Sequence, residues 1–197
     1  MANLCAQAMK EGPIIIVSAP SGAGKTTLVR AVMKQIPELM FSVSATTRAP
    51  RPHEQEGVDY YFLSVPEFKA RIAAGRFIEW EEVYQGRYYG TQQDEVERIQ
   101  ALGRIPLFEL DAIGGIHLKQ QFGTHALSIF VNPPSLDILR QRLIARGTET
   151  PEDIERRLDK SAYELAMADQ FDAQIVNDRL DQATHRMETL IRQFTRL

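Results

Sequence analysis

The sequence predicts an α/β fold, a parallel sheet covered by helices on both faces, and three observations predict it. Short apolar runs of β-branched character recur at Ile14 to Val17, Ile105 to Leu110, Ala126 to Val131 and Ala173 to Val176. Helical patterns separate them, and strands alternating with helices of roughly ten or more residues favour parallel, right-handed connections. The first run ends in the small-residue turn Ser18-Ala19-Pro20-Ser21-Gly22, as a buried strand meeting a loop does.

The elements follow in order. Residues 1–12 (MANLCAQAMKEG) read as a polar N-terminal extension, without a basic start leading into a long apolar run. After the first strand, Lys25 to Ile36 reads as a helix. Between Phe41 and about Gln93 the texture changes to short alternating stretches, DYYFLS and FIEWEEVY, broken by Gly57, Gly75, Gly86 and Gly90. That pattern predicts a small, partly antiparallel insertion. Within it Ser64 and Glu67 have capping-box spacing for a short helix, and Thr91 is placed to cap the helix that follows. A second insertion, about Gly147 to Ala168, is helical and highly charged.

Composition narrows the function. A chain of 197 residues, 44% hydrophobic and 25% charged, can bury one real core. With 23 Lys and Arg against 26 Asp and Glu the net charge is −3, so no global basic field holds nucleic acid or an anionic membrane. Any anion site must be local. Cys5 is the only cysteine, which excludes disulfides within the chain and makes thiol catalysis a poor expectation. No run of roughly eighteen apolar residues occurs. The expected localisation is cytoplasmic.

The turn after the first strand carries the strongest motif. Ala19-Pro20-Ser21-Gly22-Ala23-Gly24-Lys25-Thr26 has P-loop spacing except that Ala19 stands where the first glycine would. Gly22 and Gly24 let several N–H groups turn inward, the helix N-terminus adds positive partial charge, Lys25 reaches β/γ phosphates and Thr26 can ligate magnesium. A chance glycine turn at the head of a helix is the plain alternative. The strand before and helix after favour nucleotide binding.

Phosphoryl transfer also needs cations around the migrating group. Arg48 and Arg51 lie in SVSATTRAPR beside Pro50 and Pro52, which stiffen the loop. Taken alone, the pair reads equally as an exposed basic turn. Arg142 and Arg146 fall on one helix face with Arg157 further on, a spacing that surface helices also show.

In order and register, the P-loop, SVSATTRAPR, GVDYYF, FIEW, RYYGT, RLIARGTE and IVND make the chain resemble a guanylate kinase over about residues 13 to 195. The resemblance implies a P-loop kinase fold with three parts: a parallel-sheet core (about 13–40, 92–140 and 170–197), a mixed α/β GMP-binding insertion (about 41–91) and a helical lid (about 141–169). It implies ATP and GMP as substrates and Mg2+ as cofactor. The implied ATP site is Ala19, Pro20, Ser21, Gly22, Ala23, Gly24, Lys25, Thr26, Thr27 and Asn177, with Thr26 toward the metal. The implied GMP site is Ser44, Arg48, Arg51, Tyr60, Glu79, Tyr89, Thr91 and Asp111. Lys25, Arg48, Arg142, Arg146 and Arg157 are the implied catalytic cations.

Chemistry agrees with that transfer. Guanine offers donors at N1 and N2 and an acceptor at O6, so the Glu79 carboxylate can take the donors while Ser44 or Thr91 donates to O6. Asp111, at the end of an apolar strand with Glu109 two residues earlier, serves either the guanine side or magnesium through water. The chain departs from its relatives at three points. One is Ala19, which fits if φ there is negative. Another is Ala112-Ile113-Gly114-Gly115, where many relatives have a glutamine before one glycine. The last is a longer turn in YQGRYYGT, which places the expected tyrosine at Tyr89 with Tyr88 as fallback. Non-catalytic modules of this likeness typically lack the lysine-bearing loop, whereas Gly24, Lys25 and Thr26 are intact here. A kinase for another nucleoside monophosphate, or a GTP hydrolase, fits the Ser44, Glu79 and Thr91 set less well.

Overall fold

A computed structural model describes residues 12–146 and 150–197. Most of the expected N-terminal extension, Cys5 included, and residues 147–149 of the second insertion lie outside the described residues.

The apolar runs form one parallel sheet. β1 (Ile14–Ser18) is buried along its whole length, as β-branched runs covered on both faces require. A loop leads into α1 (Lys25–Gln35), and β2 (Leu39–Phe41) follows. β7 (Ile105–Leu110), β8 (Ala126–Asn132) and β9 (Ala173–Val176) complete the sheet in the order β2-β7-β1-β8-β9. All of its pairings are parallel, with Ile16 opposite Phe108 on one side and Ser128 on the other. The C-terminal ends of β1 and β7, where a doubly wound sheet binds its ligands, therefore lie side by side.

Helices cover both faces. On one, Leu28, Val29 and Val32 of α1 and Ala183, Met187 and Ile191 of α7 (Leu180–Thr195) pack with Ile15, Val17 and Ile129. On the other, Val96 of α3 (Gln93–Ala101) and Leu118 and Phe122 of α4 (Ala112–Phe122) pack with Ile14, Ile16 and Phe108. Alternate residues of β1 thus serve opposite faces, as the pleat dictates.

A second sheet, of four strands, fills the first insertion. β3 (Ala45–Thr46) pairs parallel with β4 (Tyr61–Phe62) and antiparallel with β6 (Arg87–Gln92), which pairs antiparallel with β5 (Phe77–Tyr84). α2 (Val65–Ala73) starts at the expected capping box: the Ser64 hydroxyl accepts from the Glu67 N–H at 3.3 Å and the Glu67 carboxylate accepts from the Ser64 N–H at 2.9 Å. Phe68, Phe77 and Tyr88 form a separate small core, with Phe68 and Phe77 stacked at 4.3 Å. The insertion thus carries its own hydrophobic centre.

Thr91 does not cap α3. Gln92 holds the N-cap position without a side-chain bond, while Thr91 lies in β6 and spends its hydroxyl on Glu79. Asp111 follows the end of β7 at Leu110 and instead caps α4, accepting from the Gly114 N–H at 2.9 Å. In the second insertion α6 (Pro151–Leu165), capped by Thr150, packs Ile154 and Leu158 on Leu139 and Leu143 of α5 (Leu136–Arg146).

Candidate active site

The phosphate loop joins β1 to α1 at the end of the sheet. Gly22 (φ 96°) and Gly24 (φ 87°) take left-handed conformations that L side chains rarely adopt. Space adds a second reason, since a Cβ on Gly24 would lie 2.5 Å from the Asn177 amide nitrogen. Ala19 is buried and has no such conformation; Arg196 is the only non-glycine with positive φ among the described residues. An alanine therefore fits where the motif's first glycine would stand.

Side chains from distant elements fasten this loop. Lys25 donates from Nζ to the Leu110 carbonyl at 2.7 Å, and the Thr26 hydroxyl donates to Oε1 of Glu109 at 2.6 Å. Asn177 donates to the Ala23 carbonyl at 2.8 Å. Arg142 reaches the Asn177 carbonyl at 3.1 Å and the Ala23 carbonyl at 3.4 Å, and Arg157 donates to the Ser21 hydroxyl at 3.0 Å. Arg142 and Asn177 thus brace the back of the loop, while Arg157 lies at its open side. The side chain of Arg146 lies outside the described residues.

A cleft of about 460 Å³ faces the loop. Ala19, Pro20, Ser21, Gly22, Gly24, Lys25, Thr26 and Thr27 line one wall; Ser44, Arg51, Tyr60, Glu79 and Tyr89 line the other. Tyr60 and Tyr89 meet edge-on at 6.0 Å. Tyr88 points the opposite way into the insertion's core and is 6% exposed. Adjacent strand residues face opposite sides, so only one of the two tyrosines can reach the cleft. Arg48 is held aside: its guanidinium forks onto both oxygens of Glu54 at 2.7 and 2.9 Å and lies 5.4 Å over the Tyr60 ring. Arg51, also near Glu54 at 3.7 Å, stays largely exposed.

Glu79 is the most unusual of these groups. It is 9% exposed, and burial pushes its carboxyl up to about 7, reinforced by the charge of Asp111 and opposed by the 2.7 Å bond from the Thr91 hydroxyl. Thr91 is itself fully buried behind Glu79 and does not line the cleft.

The cleft also contains groups that sequence reasoning missed. Glu81 lies one pleat further along β5, and burial together with Asp111 pushes its carboxyl up. On α6, Glu164 is buried and pushed up to about 7 by burial, with Lys160 at 3.8 Å; Lys160 also lies 4.0 Å from Asp111. The only signal for Glu81 was its i+2 relation to Glu79. Lys160 and Glu164 carried none, since an i,i+4 charge pair on a helix ordinarily marks a solvated face.

Beside Lys25, the available donors are oxygens only: the Thr26 hydroxyl and the Glu109 and Asp111 carboxylates. That set suits a hard divalent cation that keeps several waters. Among the described residues no cluster of three or more His, Cys, Asp or Glu could hold a metal ion.

Comparison with known proteins agrees with this architecture. The family model for guanylate kinase matches residues 11–194. A guanylate kinase of Salinibacter ruber is 50% identical over 186 residues, covering 94% of this chain and 98% of the relative. One of Bacteroides fragilis is 48% identical over 184 residues, covering 93% and 90%. The crystal structure of guanylate kinase from Anaplasma phagocytophilum superposes with a TM-score of 0.75 at 31% identity, covering 92% of this chain and 85% of the other. The match runs through nearly the whole sequence, and the chain belongs to the guanylate kinase family.

Proposed function

We propose that the chain transfers the γ-phosphoryl group of ATP to GMP, giving ADP and GDP. The observation that carries this reading is one cleft with a phosphate loop on one wall and a buried carboxylate beside two tyrosines on the other. The bond between the γ-phosphorus and its bridging oxygen breaks as a phosphate oxygen of GMP bonds to that phosphorus, and the electron pair leaves with ADP. No covalent enzyme intermediate is needed.

The ATP phosphates lie along residues 19–27, on backbone N–H groups of every residue but Pro20, with Lys25 on the β/γ phosphates and Asn177 toward the adenine side. Lys25 exchanges its carbonyl partner for phosphate oxygens, a stronger charge-assisted bond. The GMP phosphate is held by Arg48, Arg51, Tyr60 and Tyr89, which aligns it with the γ-phosphate. Arg48 must leave Glu54 to do so, which makes that ion pair a resting position. Arg146 and Arg157 neutralise charge from the lid side, over about 141–169, and Arg142 joins them on leaving the Ala23 and Asn177 carbonyls. Mg2+, with Thr26 and the neighbouring carboxylates, would neutralise the β/γ oxygens when bound.

Glu79, as carboxylate, accepts from guanine N1 and N2, and Ser44 or Thr91 donates to O6. With Thr91 committed to Glu79, Ser44 is the better placed of the two. Asp111, near enough to raise the Glu79 carboxyl and lining the cleft with Lys25 and Thr26, serves either the guanine side or magnesium through water. The test is ADP release from ATP and magnesium with each of GMP, AMP, CMP and UMP. Selective turnover of GMP supports the assignment; release with no acceptor dependence, or none at all, sinks it in favour of hydrolysis or a purely binding role.

A further inference from the structure

The chain passes between its two sheets twice, from β2 to β3 through residues 42–44 and from β6 directly into α3. At the first crossing Ser42 still donates its N–H to Leu107 of the core sheet at 2.9 Å, whereas Ser44 already accepts from the N–H of Tyr61 in the insertion at 2.9 Å. Val43 alone stands between these two anchors. Its N–H is taken by neither sheet; it donates to Oε1 of Glu95 at 3.1 Å.

Glu95 lies in the first turn of α3, just after the second crossing, and is 3% exposed. Its other oxygen, Oε2, accepts from the Tyr61 hydroxyl at 3.1 Å. Arg98, one turn along α3, closes the set from Nε at 3.0 Å and from its terminal nitrogen at 2.9 Å. One buried carboxylate thus joins the connection, the insertion and the core helix, with its charge balanced by Arg98. A buried carboxylate is costly unless fully partnered. Here every partner lies at the junction of the two parts.

We propose that Glu95 is a positioning residue, the pin about which the acceptor-binding insertion turns relative to the phosphate loop. Glu95 touches no substrate; it acts through Val43 and Tyr61 on Ser44 and the arginine loop beyond it. The inference rests on the reading of the insertion as the GMP-binding part. Close to the pivot the displacements of a turning body are smallest, so these bonds can persist through closure and confine it to one axis.

Tyr61→Phe removes only the insertion's arm of the pin, and Glu95→Gln weakens all arms while keeping shape. Steady-state kinetics with GMP and ATP varied separately should show kcat/KM for GMP falling about fivefold in Tyr61→Phe and tenfold or more in Glu95→Gln. KM for ATP should stay within about twofold. Because both act through one device, the double variant should lose no more than Glu95→Gln alone. Should Glu95→Gln fail to fold, Tyr61→Phe decides by itself. A Tyr61→Phe protein that melts lower yet keeps wild-type GMP kinetics would show a purely structural staple and overturn the proposal, as would equal loss toward ATP and GMP. A wild-type protein without GMP turnover removes the functional reading itself, an outcome distinct from failure of the pin alone.

Discussion

Glu79→Gln should make the protein more stable and less active, and the two effects should part company with pH. Glu79 is buried and its carboxyl is pushed from 4.5 to about 7. At about 1.36 kcal/mol per pKa unit, ionising that group in the folded chain costs up to roughly 3 kcal/mol. Between about 4.5 and 7 the folded state binds more protons than the unfolded state, so wild-type stability from this group falls as pH rises and is flat above 7. Glutamine does not titrate and keeps an oxygen for the Thr91 hydroxyl. The variant should therefore melt about 3 to 10 °C above wild type at pH 8, with the gap nearly closed at pH 4.5. Glu164 titrates in both proteins and cancels in the difference, whereas Glu81, whose carboxyl is pushed up by burial and in part by the Glu79 charge, is relieved in the variant and widens the gap at high pH in the same direction. Catalysis should move oppositely: glutamine offers guanine N1 and N2 one acceptor and a competing donor, so kcat/KM for GMP should drop about ten- to a hundredfold, with KM for ATP little changed. Calorimetric melts across pH and initial rates with GMP and AMP check both halves. A melting difference that does not change with pH would refute the buried-charge argument. Equal losses for GMP and AMP would refute base recognition by Glu79.

Lys25→Ala should abolish transfer while circular dichroism stays unchanged and melting shifts by a few degrees, because the fold loses one hydrogen bond to the Leu110 carbonyl; turnover within a few-fold of wild type would remove the phosphate-loop reading. Tyr89→Phe should raise KM for GMP without changing stability, whereas Tyr88→Ala should cost about 3–5 kcal/mol by emptying the insertion's core. If Tyr88→Phe rather than Tyr89→Phe impairs GMP binding, the assignment of the two tyrosines is reversed. Small-angle scattering with a bisubstrate analogue should show compaction as the insertion and the helical lid close, since an open cleft would let water accept the phosphoryl group; identical profiles in a demonstrably bound sample would exclude such closure.

The parallel sheet was legible in the sequence because each of its long strands is buried on both faces and so reads as a continuous apolar run. The phosphate loop was legible because backbone geometry demands glycine at Gly22 and Gly24, and sequence records such demands directly. The insertion was harder. β3 and β4 have two residues each, too few for periodicity, and their pairing rests on β6 lying between β3 and β5. Thr91 shows the limit of local rules. A threonine before a helix is a good cap, yet a buried carboxylate 2.7 Å away on the neighbouring strand claimed its hydroxyl first. Glu95 shows the same limit. An acidic residue in a helix's first turn reads as a favourable partner for the helix dipole, and nothing local marks it as the group to which Val43 and Tyr61 converge.

The cleft raises an electrostatic difficulty: it must take two anionic nucleotides, yet Glu79, Glu81, Glu109, Asp111 and Glu164 all line it. The arrangement of charge resolves this. Glu109 is taken by the Thr26 hydroxyl, Glu79 and Glu81 lie on β5 across the cleft from the loop, and Asp111 and Glu164 face Lys160, with the charge of Lys25 also acting on Glu164. Burial pushes the Glu79 and Glu164 carboxyls up to about 7, and Lys160 sits between Asp111 and Glu164, so the site bears less negative charge than its composition suggests. A guanine base that donates to Glu79 favours its ionised form and offsets the burial cost there, whereas an adenine base, which presents an acceptor at N1, would face a carboxylate or its proton without the same gain. On the proposed reading, selectivity for the base and a low negative charge in the cleft come from one physical cause, a carboxylate buried where it gains a partner only from a ring edge that presents donors.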